Sequence, residues 1–252
     1  SGICELLFEK NAELEEDDEL RKMKGRAVLL GNQIFDQAFD WAEFQELSSS
    51  PPSMEAARAA DALGLFPGYV QKQSDAISAY TQAFLKGPET YVSLPRNRWP
   101  KHWENKYKNP VVPLVLALYG HPDAGGFWEE QCDAAVKSCG FQDFKDSGWR
   151  STYWHPTEKA LLVVYVDDFN LSAPAKAHDR LWKQLRAKLN LEEPSEPNRF
   201  LGCYKRAFTA KTKDLEKILQ HKPELYPRAD AEKREAARPK PLNSFKEYNP
   251  DL

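Results

Sequence analysis

The stretch Leu161-Leu162-Val163-Val164-Tyr165-Val166-Asp167-Asp168-Phe169-Asn170-Leu171-Ser172-Ala173-Pro174 decides how this chain is read. Ala160 to Val166 is a short apolar, β-branched run, the pattern of a buried strand. Asp167 and Asp168 interrupt it. Phe169, Leu171 and Ala173 then alternate with Asn170 and Ser172, which predicts a second, half-buried strand and a hairpin between the two. Two adjacent carboxylates at the tip of a hairpin with a dry stem are costly to pack without a partner. A bound cation is the simplest partner. Hard divalent ions such as magnesium take oxygen ligands, typically one or two carboxylates plus substrate phosphates. An acidic turn in solvent reads equally well from this segment alone, because Asp is a common turn residue.

Around this hairpin the chain is organised into periodic segments. Met23 to Gly31 reads as a strand with a basic start. Ser53 is a good helix N-cap, and Met54 to Leu65 follows with helical spacing. Tyr69-Val70 opens a strand that would carry Asp75 at or near its end, and Ala76 to Leu85 is helix-compatible. Pro110 to Tyr119 reads as a buried segment, and Gly125 to Cys139 as a helix. Residues 149–155 and 159–166 form an expected strand pair. Pro174 to Asn190 is the cleanest amphipathic helix, with Leu181, Leu185 and Leu189 at four-residue steps. After Phe208 the composition turns to Lys, Arg, Glu and Pro, so 208–252 is expected to be a poorly ordered tail.

Composition narrows the class. The 252 residues suffice for one large or two small domains, and a hydrophobic content of 41% is ordinary for a globular protein. No apolar stretch approaches the roughly 18 residues of a membrane span, and no signal-peptide pattern opens the chain, so no membrane partner is expected. Ser1-Gly2-Ile3, without an initiating Met, reads as the interior of a longer frame. Cys4, Cys132, Cys139 and Cys203 include no Cys-x-x-Cys pair, and no His lies at zinc spacing. Neither a zinc site nor a disulfide framework is expected, and scattered thiols suit a reducing compartment. The net charge of −3 weighs against polyanion binding, which usually leaves a basic footprint. One local exception exists. Arg96, Arg98, Lys101, Lys106 and Lys108 cluster with Trp99, Trp103 and Tyr107 interleaved. Such interleaving suits a surface that tracks a nucleic-acid strand, although a Trp/Pro-rich loop packed on the domain fits as well.

Two further segments bear on the acidic hairpin. Residues 73–87 read Gln-Ser-Asp-Ala-Ile-Ser-Ala-Tyr-Thr-Gln-Ala-Phe-Leu-Lys-Gly, and residues 118–128 read Leu-Tyr-Gly-His-Pro-Asp-Ala-Gly-Gly-Phe-Trp. With Tyr165-Val166-Asp167-Asp168, and in this order, they resemble the palm of a reverse transcriptase, most of all that of the copia-type long-terminal-repeat retrotransposons. Lys24-Gly25-Arg26-Ala27-Val28 resembles the family's basic fingers segment, and Phe200-Leu201-Gly202 its Phe-Leu-Gly element. The resemblance covers roughly residues 3–206, and the ordered set is far more specific than the Tyr-x-Asp-Asp tetrapeptide.

The resemblance implies an α+β fold with an antiparallel palm sheet backed by helices. Fingers would occupy 1–67 and 88–120, the palm 68–87 and 121–207, and 208–252 would be a partial thumb if not a poorly ordered tail. It implies RNA- or DNA-templated DNA synthesis from dNTPs on a primer 3′-hydroxyl, with two Mg2+ ions, or Mn2+ in their place. Asp75 and Asp167 would bridge the metals, with Asp168 a supporting catalytic carboxylate. Tyr80, five positions after Asp75, would floor the sugar pocket. Lys24 and Arg26 would contact the triphosphate, and Tyr165 the primer end. Asp123 stands where the family carries a nucleotide-holding Gln, a departure that bears on affinity. Ribonuclease H and integrase segments of the same polyprotein would be its partners, in a cytoplasmic particle or in the nucleus. Each residue also has a plainer reading: Asp75 as a helix cap, Tyr80 and Tyr165 as core aromatics, Lys24 and Arg26 as a solvated strand edge. For the chain as a whole, the competing readings are a catalytically inactive remnant with at most weak nucleic-acid binding and an unrelated metal-dependent hydrolase.

Overall fold

A computed structural model describes residues 1–10, 12, 15–18, 21–36, 38, 40–42, 51–144 and 148–206. The chain divides into two units, Ser1–Lys205 and Arg206–Leu252, and of the second only Arg206 is described. The expected thumb or tail at 208–252 lies outside the described residues.

The centre of the first unit is a five-stranded, wholly antiparallel sheet. Its strands are β3 (Tyr69–Asp75), β6 (Gln142–Phe144), β7 (Trp149–His155), β8 (Ala160–Tyr165) and β9 (Asp168–Pro174), in the spatial order β3-β9-β8-β7-β6. Strand β8 is buried on both sides from Ala160 to Val164, which is why its sequence is continuously apolar rather than alternating. Leu162 and Val164 face one layer of helices: α2 (Ala124–Ser138), through Trp128, Cys132 and Val136, and α3 (Ala175–Arg186), through Leu181 and Leu185. Leu161 and Val163 face α1 (Met54–Gly64) on the opposite side. That helix presents Ala56, Ala57 and Ala60, whose small side chains let it lie close to the sheet. The Ser53 side chain accepts the amide of Ala56 and caps it, as the sequence predicts.

Three small sheets surround this core. β1 (Ile3–Lys10) and β2 (Lys22–Leu29) form an antiparallel ribbon, β4 (Tyr91–Ser93) pairs with β5 (Val111–Pro113), and β10 (Arg199–Phe200) pairs with β11 (Cys203–Tyr204). Among the described residues no helix is long and apolar enough to cross a membrane. All four cysteines are free thiols.

Five expectations need correction. The helix expected over Ala76–Leu85 shrinks to one 3-10 turn, Ala79–Gln82. Ser78 adopts φ 53°, a left-handed conformation that breaks helical hydrogen bonding, and the Gln82 amide donates to the carbonyls of Ile77 and Asn190 instead. Asp75 is therefore the last residue of a strand and caps no helix. The run Pro110–Tyr119 is largely not buried: Val111 is 54% and Val115 57% exposed, because the segment runs as a short two-stranded edge rather than through a core. Asn170 and Ser172 are fully buried rather than facing water, because α1 covers that face and Ser172 donates to the carbonyl of Ala60 at 2.6 Å. The amphipathic helix ends at Arg186, short of Asn190, although Leu189 still enters the core.

Candidate active site

Strand register assembles the acids. Asp75 is the Cα partner of Asp168, and Asp168 is the partner of Tyr165. Directly paired residues on antiparallel strands project to the same face about 5 Å apart. Asp75, Asp168 and Tyr165 therefore stand side by side across β3, β9 and β8. Asp167 sits in the turn above them, and its carbonyl accepts the amide of Ala76 at 2.7 Å, which ties the hairpin tip to the end of β3.

The turn itself is strained. Val166 and Asp167 form a two-residue connection between β8 and β9, and Val166 has φ 52°. Glycine normally occupies a first turn position with positive φ, and a β-branched residue there is a genuine outlier. The Trp128 indole donates to the Val166 carbonyl at 2.7 Å and holds the turn from α2. Backbone strain of this kind persists only where the surroundings over-determine it.

Electrostatics follow from the crowding. Burial is the largest cause pushing the Asp168 carboxyl up to about 7, followed by the charges of Asp75 and Asp167 and a hydrogen bond to Asp75; Arg199 opposes the rise. A carboxyl crowded by other carboxyls favours its protonated form, and Asp75 and Asp167 crowd Asp168 in this way.

An aromatic wall adjoins the acids. The Tyr80 and Tyr119 rings lie 4.5 Å apart at 50°. Burial raises both phenols; Tyr119 and then Asp167 add to the rise at Tyr80, and Asp167 adds to it at Tyr119. The Arg26 guanidinium lies 4.9 Å from the Tyr119 ring centre and 5.4 Å from that of Phe8, and its charge works against the rise at both tyrosines. Arg26 reaches this position because β2 docks on the segment before α2. Leu29 donates to the Tyr119 carbonyl at 2.7 Å. A Cβ on Gly31 would lie 2.0 Å from the Gly120 carbonyl oxygen, and one on Gly120 would lie 2.1 Å from that of Leu29. Two bare backbones cross there, which only glycine permits.

Beside Tyr165 and Asp168 opens a cleft of about 590 Å³, walled by Pro51, Met54, Arg199 and Phe200. The β10–β11 hairpin supplies Arg199, and Phe200 anchors it in the core beneath α1.

The structure gathers Asp75, Asp167, Asp168, Tyr80, Tyr165 and Arg26 in one region. Lys24 and Asp123 are placed differently. Lys24 is exposed on the ribbon, with no described bond to the acids. Asp123 precedes α2, its amide donates to His121 Nδ1 at 3.1 Å, and its Oδ1 is buried without a partner among the described residues. Burial lowers the pKa of His121, and Asp123 partly offsets that. Sequence reasoning did not single out Tyr119, Trp128 or Arg199. Tyr119 and Trp128 both lie inside the quoted 118–128 segment, and Arg199 directly precedes Phe200-Leu201-Gly202.

Among the described residues no three His, Cys, Asp or Glu side chains gather as a ready-made metal cluster. What is present is the Asp75–Asp168 pair with Asp167 alongside, and a pair of carboxylates completed by substrate phosphates is a donor set that magnesium accepts.

No protein-family model matches the chain, and no curated protein matches it. Among solved structures it is similar to telomerase from Candida albicans, determined in complex with the TWJ fragment of telomeric RNA, at 14% identity and a TM-score of 0.28. The similarity covers 73% of this chain, which spans only 39% of that one.

Proposed function

We propose that this chain is the polymerase portion of a copia-type reverse transcriptase, joining dNTPs to a primer 3′-hydroxyl under the direction of an RNA or DNA template. The observation that carries the reading is the meeting of Asp75 with the Asp167-Asp168 turn, 92 residues away in sequence, beside Tyr80, Tyr119 and Arg26. Asp75, Asp167 and Asp168 would together hold divalent cations. When bound, such ions neutralise charge on the attacking and leaving oxygens of an in-line displacement. The rest falls to the protein. Arg26, held over Tyr119, offers a planar fork to a triphosphate. Tyr80 and Tyr119, tilted 50° to each other, give an aromatic corner against which a sugar and base can rest. Tyr165 and Arg199 line the cleft in which the primer end would lie, with the guanidinium facing its phosphates. The primer hydroxyl forms the new bond to the α-phosphorus, the α–β bridge breaks, pyrophosphate leaves, and solvent takes the hydroxyl proton. Placement and preorganised charge are the protein's main contributions to such a reaction.

Primer extension on poly(rA)·oligo(dT) with Mg2+ tests this. The expected result is template-dependent synthesis, with Asp167→Asn reducing it by about a hundredfold or more. Folded wild-type protein that makes no product would overturn the reading. The second reading, an inactive remnant, is favoured by Asp123 at the position of the family's Gln, where its buried Oδ1 has no partner among the described residues.

A further inference from the structure

A second surface stands out away from the acids. Arg96, Arg98, Lys101, Lys106 and Lys108 share a thirteen-residue stretch with one acid, Glu104, in a chain whose net charge is −3. All five cations are exposed. The stretch is built rather than loose. Pro95 and Pro100 each launch a 3-10 turn, Arg96–Arg98 and Lys101–Trp103. The Trp99 indole donates to the Leu94 carbonyl at 3.0 Å, and Arg98 is clamped on Glu5 of the β1–β2 ribbon through two bonds of 2.6 and 2.9 Å.

Aromatic rings alternate with the charges. Trp99, Trp103 and Tyr107 recur every fourth residue. Arg96 lies 5.8 Å from the Trp99 ring centre and Lys106 5.3 Å from that of Tyr107. Trp103 and Tyr107 meet edge to face at 6.2 Å. Tyr107 is 45% exposed, and the two indoles are half-buried, so each ring keeps solvent-facing area.

We propose that residues 96–108 form a binding surface for single-stranded nucleic acid, separate from the acidic site. Arg96 and the three lysines would meet the phosphates, and the rings would stack on unpaired bases. A duplex hides its base faces, so the aromatic part of this surface selects single strands. A membrane would require an apolar face, and here each ring is flanked by charge. The inference does not depend on catalysis, because a protein unable to synthesise DNA would still bind through this stretch.

Fluorescence anisotropy of a labelled sixteen-nucleotide oligo(dT), with unlabelled single strand and duplex as competitors, tests it. Lys101→Ala/Lys106→Ala/Lys108→Ala leaves the Arg98–Glu5 clamp and the Arg96–Trp99 stack intact. It should weaken binding about tenfold or more and flatten the salt dependence by about 0.7 in log–log slope for each phosphate no longer neutralised. Tyr107→Ala should cost about five- to tenfold, while Tyr107→Phe retains binding, since stacking uses the ring and not the hydroxyl. Asp167→Asn should bind the strand like wild type, which separates failure of this surface from failure of the acidic site. Unchanged affinity in the triple variant, or equal competition by duplex, would overturn the proposal.

Discussion

Asp168 shows how one side chain carries the linkage between the fold and its chemistry. An aspartate in the unfolded chain titrates near 3.9, whereas here burial and the charges of Asp75 and Asp167 push the group up to about 7. The folded chain therefore binds this proton more tightly than the unfolded one. Its contribution to stability is full below about pH 4, falls as the pH rises from there, and is gone above about 7. Asp168→Asn removes that dependence. Thermal unfolding at pH 5 and pH 8 should show a smaller difference between the two pH values in the variant than in wild type. Millimolar Mg2+ should restore wild-type stability at pH 8 and do little at pH 5. Parallel pH profiles in the two proteins would mean the acids do not crowd one another. His178 works in the opposite direction. It is buried, burial lowers its pKa, and it accepts from the Trp182 indole at 3.3 Å, so its contribution is present above about pH 6.5 and is lost as the pH falls. Comparison with the variant cancels that background.

At the scale of the element, β9 is the strand that departs most from its expected pattern. Its alternation of apolar and polar residues predicts one wet face, yet Asp168, Asn170 and Ser172 all point beneath α1 and the adjoining hairpin. Ser172 is satisfied by Ala60. Asn170 is fully buried, and neither its oxygen nor its nitrogen has a partner among the described residues. A buried amide with nothing to bond costs about 1–3 kcal/mol. Asn170→Leu, of similar volume and beside Val163, should raise the unfolding free energy by about 1–2 kcal/mol in a urea titration. A loss of stability would show that Asn170 has partners, such as an enclosed water. The two-residue turn at the head of the same strand carries Val166 at positive φ, so β9 combines a strained start with an unsatisfied interior. Departures from local rules collect at functional sites.

For the whole molecule, what was legible in the sequence was what local pattern controls. The Ser53 cap, the α1 and α2 helices, the β7–β8 pair and the strand leading to Asp75 all follow from spacing and turn chemistry. What escaped depends on partners remote in sequence. Nothing local forbids a helix after Asp75; it is Asn190, from the far side of α3, that captures Gln82 beyond the left-handed Ser78. Nothing in Val111 to Leu118 reveals that the segment lies along an edge. Of the candidate site, the sequence names the three acids, Tyr80, Tyr165 and Arg26, which the fold brings into one region, but not the register that pairs Asp75 with Asp168, the Arg26–Tyr119 stack or Arg199. The crossing of Gly31 and Gly120 is the long-range junction on which the Arg26–Tyr119 stack rests. Gly120→Ala would set a side chain at φ +88° and 2.1 Å from the Leu29 carbonyl oxygen. It should destabilise the protein by at least about 2 kcal/mol in chemical denaturation. A variant as stable as wild type would mean that β2 does not seat there.

That crossing has no cushion in it. Where α2 and α3 meet the sheet, contact runs through side chains such as Trp128 and Leu181, which can rotate and absorb a small shift. Here main chain rests directly on main chain, so a tilt of the β1–β2 ribbon is passed on to Tyr119 undiminished. A shift of β2 would therefore reach the Tyr119 ring, which lies 4.5 Å from that of Tyr80.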